Sequence, residues 1–206
     1  MNYERYYSPL RAVHSADFHL CFYCGCESAQ NDFIPPMKFI HDWREGSKEA
    51  DFISVPACNE CSDLLKNQNN GTLEHRVNVL KRLLSEKYAK AIRVFNHWSQ
   101  DEIEEMDAAF QISLKGGMRL GKEALSRIRF AGFNYEVNGS FTRVAAPQHQ
   151  AFTVFEQEFE SFREALAFAS NAYQIKKSRL SKLYFEHDES FEKAIEAFHE
   201  LIDLNT

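Results

Sequence analysis

Apolar positions along the 206-residue chain change period several times, and each change marks a different kind of element. Val77, Leu80, Leu84 and Tyr88 recur at i, i+3, i+7 and i+11, and Ile92 and Phe95 continue the stripe, so the spacing predicts a long amphipathic helix. Thr72 stands before it as a cap, with Glu74 and His75 in the first turn. Leu64 and Leu65 follow Cys61 closely, as expected of a shorter helix that opens at that cysteine. A further helix is predicted from Ser99, where Asp101, Glu102, Glu104 and Glu105 suit the positive end of a helix dipole, through Met106 and Phe110 to Gly116-Gly117. A short one is expected over Gly121 to Ile128.

The period then falls to two. Phe130 to Val137, Asn138-Gly139 and Ser140 to Val144 read as a hairpin, because Asn-Gly tolerates the positive φ angles of a two-residue type I′ turn. Pro147 closes that unit, and Ala151 to Phe155 is expected as a third strand. Beyond it Glu160-Ser161-Phe162-Arg163-Glu164-Ala165-Leu166 recurs in outline as Glu189-Ser190-Phe191-Glu192-Lys193-Ala194-Ile195, each serine placed to cap a helix. The helix, turn, helix order between these copies fits either a helix-turn-helix or an αα-hairpin with a wetted basic face. The first 70 residues, punctuated by Pro35-Pro36, Gly46-Ser47 and Asn67 to Gly71, are loop-rich. The pattern therefore predicts a mainly helical α+β chain, divided at about residue 95 into a small module (1–95) and a mixed helix, hairpin and helix region (96–206).

Composition changes this picture little. No apolar run approaches the roughly 18 residues needed to span a bilayer, so no membrane partner is expected. The net charge of -6 argues against indiscriminate binding of polyanions, but two basic islands stand against it. Lys115, Arg119, Lys122, Arg127 and Arg129 form one, interrupted only by Glu123; Lys176, Lys177, Arg179 and Lys182 form the other. Each reads either as a solvated helix face or as a contact for nucleic-acid phosphates. The acidic tail from Glu186 to Asp203 points instead to a protein partner.

The chemistry is concentrated in the cysteines. Cys21-Phe22-Tyr23-Cys24 and Cys58-Asn59-Glu60-Cys61 are two CxxC knuckles with 33 residues between them, the arrangement of a four-thiolate structural zinc site. Gly25 gives the first knuckle the backbone freedom of a tight turn. Met1 to Arg5 lead into a polar, aromatic stretch without an export-type apolar segment, so a reducing cytoplasmic setting is expected, in which paired thiols favour metal or redox roles over structural disulfides. Cys26 is an alternative ligand to Cys24, although the Cys21/Cys24 spacing fits a knuckle better. A closed four-cysteine site keeps no open position for substrate, so its zinc is a folding element rather than a catalyst.

Cys21-Phe22-Tyr23-Cys24-Gly25, then Asn31-Asp32-Phe33-Ile34-Pro35-Pro36-Met37-Lys38, then Val55-Pro56-Ala57-Cys58-Asn59-Glu60-Cys61 resembles the HNH endonuclease family with its zinc-stapled treble-clef (ββα-like) frame. The likeness covers about residues 18 to 90. Family members read C-x-x-C-G, then D-H followed by proline, then a C-x-x-C-N that opens a helix. In that family the histidine of D-H is the general base, and the aspartate helps hold Mg2+ or Mn2+ for phosphodiester hydrolysis. Asp32 matches the aspartate, whereas Phe33 stands where the histidine should be and Ser62 where the asparagine should be. Phenylalanine accepts no proton. His41 is the nearest substitute base, with His75 further along. The stretch from Phe159 to Leu183 is similar to small helical DNA-binding repeats appended to phage and intron-encoded HNH enzymes.

Three expectations follow from the resemblance and the charge pattern. The first is a zinc-binding, HNH-like protein that binds DNA through its basic helices with hydrolysis lost or weakened. The second is an active metal-dependent endonuclease using Asp32 and His41. The third is an interaction or adaptor component, of a phage or defence system for instance, that meets another protein.

Overall fold

The computed structural model describes residues 3–46, 49–98, 100–145, 152–159, 161–187 and 189–203. Ser47, Ser99, Pro147, Ala151 and Glu160, named above as punctuation or element ends, lie outside the described residues. In chain order the elements are β1 (Ser8–Pro9), β2 (Arg11–Ala12), β3 (Gln30–Ile34), α1 (Ile40–Glu45), β4 (Ile53–Ala57), α2 (Asn59–Leu65), α3 (Leu73–His97), α4 (Gln100–Glu104) and α5 (Ala108–Arg129). They continue with β5 (Tyr135–Val137), β6 (Ser140–Thr142), β7 (Phe152–Val154), β8 (Gln157–Phe159), α6 (Phe162–Tyr173), α7 (Lys177–Glu186) and α8 (Phe191–Asp203). This is a mainly helical α+β chain. It forms two compact units, both discontinuous in sequence: Met1–Ile92 with Gly116–Pro147, and Arg93–Lys115 with Gln148–Thr206.

In the first unit β4 is central, parallel to β1 and antiparallel to β3, with Asp32 opposite Val55 and Ile34 opposite Ile53. Alternation along β4 buries Ile53, Val55 and Ala57 on one face. That face, α2 and α3 enclose one core containing Leu65, Leu80, Leu84 and the knuckle cysteines. Burying each of these leucines contributes about 1.5–3 kcal/mol, which is how the predicted α3 stripe holds the helix in place. The Thr72 cap is present: its Oγ1 accepts from the His75 amide. The predicted hairpin forms as β5 and β6, joined through Asn138 and Gly139 with φ of 50° and 81°, the two positive angles a type I′ turn requires. β2 adds a third strand to it.

The helix expected from Ser99 to Gly116-Gly117 is two helices. α4 ends at Glu104, and α5 starts at Ala108 and runs through both glycines to Arg129, absorbing the short helix expected after Gly121. The Gln111 side chain closes the break by donating to the Glu104 and Met106 carbonyls, which satisfies carbonyls that a helix end leaves unpaired. An interior glycine costs only about 1 kcal/mol against alanine, less than burying the Gly121, Ala124 and Arg127 face returns.

The second unit builds its own core from Val154, Phe162, Leu166, Ile175, Leu180, Phe191 and Ile195. Its expected strand is present as β7, but it pairs with β8 in a separate hairpin rather than extending the first sheet. The repeated serines both cap: Ser161 Oγ accepts from the Glu164 amide at 3.2 Å and Ser190 Oγ from the Lys193 amide at 3.4 Å. Gln174 turns α6 into α7 with φ 54°. Among the described residues no helix is long and apolar enough to cross a membrane.

Candidate metal centre and the surrounding site

The first knuckle is a tight loop clipped at its neck. The Gly25 amide donates to the Cys21 carbonyl at 3.0 Å, and the Cys21 amide donates to the Cys26 carbonyl. Gly25 has φ +72°, and a Cβ there would stand 3.0 Å from the Phe130 ring, so both backbone angle and space call for glycine. Hydrogen bonds from the Phe22 amide to the Pro56 carbonyl and from the Ala29 amide to the Ala57 carbonyl fix this loop beside β4. The second knuckle is the start of α2, where the Cys58 side chain caps the helix by accepting from the Cys61 amide at 3.4 Å.

These two loops bring Cys21, Cys24, Cys58 and Cys61 together, all buried, with their four sulfurs within 4.8 Å of one another and Cys24 and Cys58 only 3.7 Å apart. A tetrahedron of sulfurs around zinc at about 2.3 Å has edges of about 3.8 Å, so the cluster is compact enough to hold a metal such as zinc. Hydrogen bonds from the neighbouring thiols push Cys24 well below the ordinary thiol range and Cys58 down to about 6, while the same contacts push Cys21 and Cys61 well up. Four buried thiolates repel one another until a dication joins them. Cys26 stays outside the cage, with its thiol raised to about 11, mainly by burial.

A zinc held by four thiolates would carry a net double negative charge, and two cations stand beside the four cysteines that the sequence pattern did not single out for this role. The Arg127 guanidinium lies 4.0 Å from Cys24 Sγ and pairs with Glu60 Oε2 at 2.6 Å. Lys81 Nζ donates to the carbonyls of Tyr23, Arg127 and Phe130, so its three protons tie the first knuckle to the end of α5. Burial draws that ammonium down to about 8. Burial would raise the Glu60 carboxyl, but hydrogen bonds from Lys87, Tyr88 and Arg127 outweigh it and hold the group at about 2. Arg127, read from sequence as part of a basic island, is therefore a buried neighbour of the four-cysteine cluster.

Asp32 is buried at 6% exposure on the α3 side of β3. Arg76 grips it through two bonds, Nε to Oδ2 at 2.5 Å and Nη2 to Oδ1 at 2.6 Å, and the Tyr23 hydroxyl donates to Oδ2 at 2.6 Å. The same guanidinium donates to the carbonyls of Leu65, the last residue of α2, and of Gln68 just beyond it. The strand's alternation turns the neighbouring Phe33 the other way, where its ring meets Tyr7. His41 is exposed on α1 and hydrogen-bonds the Tyr3 hydroxyl at 3.0 Å. Asp32 and His41 thus each have their own partners.

Of the basic residues, Lys115, Arg119, Lys122 and Arg129 are exposed on α5, Lys115 donating to Gln111. On α7, Lys177 pairs with Glu102 at 3.1 Å, Lys182 lies 3.6 Å from Glu186 and Arg179 stacks over the Phe198 ring. Lys176, exposed at the cap, has no ion pair among the described residues. No protein-family model, curated protein or solved structure matches this chain.

Proposed function

We propose that this is a zinc-stapled, HNH-like protein that binds nucleic acid and does not hydrolyse it. The observation that carries the second half is the Asp32 carboxylate: both oxygens are engaged by Arg76 and Tyr23 in a buried pair, and Phe33 follows it where the resemblance expects a base. A carboxylate held this way serves packing rather than a catalytic Mg2+ or Mn2+. Binding is assigned to α7, where Lys176, Arg179 and Lys182 present charge to solvent on the short helix after the α6 turn. The surface pairs on this helix are weak, about 0–1 kcal/mol each, and yield readily to a phosphate.

Fluorescence anisotropy of a 20-base-pair duplex, titrated at several salt concentrations, tests this. Replacing Lys176, Arg179 and Lys182 together by Ala is expected to flatten the log–log salt dependence by about 2.7, at 0.9 per lost phosphate contact. Unchanged affinity and slope would remove α7 from the interface. A protein partner draws support from Phe110 and Ile112 on α5, 63% and 75% exposed. That reading expects a stable protein complex and no salt-sensitive retention of DNA, so the same titration separates the two.

A further inference from the structure

The first unit carries a cationic cluster that none of the charge runs in the sequence marks, because its members are 39 positions apart. Arg5 lies in the short 3-10 turn Glu4–Tyr6, and Arg44 lies on α1. Both guanidinium carbons sit within 5 Å of one ring, that of Tyr6, at 4.9 and 4.3 Å from its centre. Arg5 also donates to the Tyr6 hydroxyl at 2.9 Å. Both arginines are exposed, and neither forms an ion pair among the described residues, although Glu4, Asp42 and Glu45 share their segments.

The cluster is built into the fold. Tyr7, next in the chain, is buried and donates to the Pro35 carbonyl at 2.7 Å, which anchors the turn. The Tyr3–His41 hydrogen bond ties the same turn to the first residues of α1. Two like charges are thereby held beside one aromatic ring, which partly offsets their repulsion and leaves them without a carboxylate partner among the described residues. The hydrogen bond from Arg5, with the added field of Arg44, lowers the Tyr6 hydroxyl below its ordinary range. What such a pair lacks is an anion with several oxygens; a guanidinium fork fits phosphate and carboxylate alike, and the nucleic-acid reading supplies phosphate.

We infer that Arg5 and Arg44, stacked on Tyr6, form a phosphate-recognition site on the zinc-stapled unit. The site deepens the nucleic-acid reading by giving this unit its own contact with the phosphodiester backbone, and it rests on that reading for the source of the phosphate. A free phosphate is the other source of the same chemistry.

The test uses the full, zinc-loaded chain, the same 20-base-pair duplex and inorganic phosphate as two separate probes. Both arginines are exposed, so R5A/R44A retains the fold, which the far-ultraviolet spectrum checks. For the duplex, R5A/R44A is expected to lower affinity roughly tenfold and to flatten the salt slope by about 1.8, while R5K/R44K restores the slope without the full affinity. Wild-type binding with both quantities unchanged in R5A/R44A overturns the inference and leaves the α7 assignment standing. If the wild-type chain does not bind the duplex even at low salt, the nucleic-acid reading itself fails. The arginine side-chain NMR signals in millimolar inorganic phosphate then decide: shifts confined to Arg5 and Arg44 keep the site as one for free phosphate, and unmoved signals overturn it.

Discussion

Removing zinc from the intact chain is expected to unfold the first unit and leave the second folded. The core of the first unit contains Cys21, Cys24, Cys58 and Cys61 among its buried residues, packed with Leu65, Leu80 and Leu84. A structural zinc is worth about 10–16 kcal/mol at neutral pH, and a domain's whole stability is about 5–15 kcal/mol, so the loss exceeds what the leucines retain. Without the dication the cage keeps thiols whose ionised forms repel, and Arg127 and Lys81 lose the negative charge they face. The core of α6, α7 and α8 includes no cysteine. Hydrogen exchange before and after chelation reads this directly: amides of α2 and of α3 around Leu80 and Leu84 lose protection, and those around Leu166 and Leu180 keep it. Cys61→Ser is expected to reproduce the effect and Cys26→Ser to retain the metal. Equal protection in α3 with and without chelator would contradict a folding role. Acid drives the same loss, because each ligand must shed its proton to bind zinc.

Asp32→Ala is expected to destabilise the first unit by about 3–5 kcal/mol, because it leaves the Arg76 guanidinium buried without its counter-charge. Tyr23 loses its acceptor as well. The double variant Asp32→Ala with Arg76→Met is expected to recover much of that loss, since removing both partners of a buried pair is far cheaper than removing one. The urea midpoint, followed at constant m-value, measures both. A catalytic metal-binding aspartate predicts the reverse pattern, with Asp32→Ala costing activity while leaving the midpoint in place.

What the sequence revealed divides by the range of the interactions involved. The α3 stripe, the Thr72 and Ser161 caps and the Asn138-Gly139 turn are local signals, each set by a few neighbouring side chains, and each appears in the structure. The clustering of the four cysteines was legible for a similar reason, because CxxC spacing encodes knuckle geometry within each loop. The break between α4 and α5 was hidden, since it depends on Gln111 reaching back to two carbonyls while glycines that read as a stop are held in a packed helix. β8 was hidden by Gln157 and Glu158, whose polar side chains mask a strand that only pairing with β7 reveals. The partners of the site were least legible. Asp32 and Arg76 are 44 positions apart, Cys24 and Arg127 are 103 apart, and no periodicity links residues that meet only after folding.

The most direct measurement incubates the zinc-loaded protein with supercoiled plasmid and Mg2+ or Mn2+, beside Asp32→Ala and His41→Ala, at low and moderate salt. A retired HNH-like frame kept for binding predicts retarded migration that fades as salt rises, with no nicked circles from any of the three proteins. Metal-dependent nicking by the wild-type chain that disappears in both variants would contradict it.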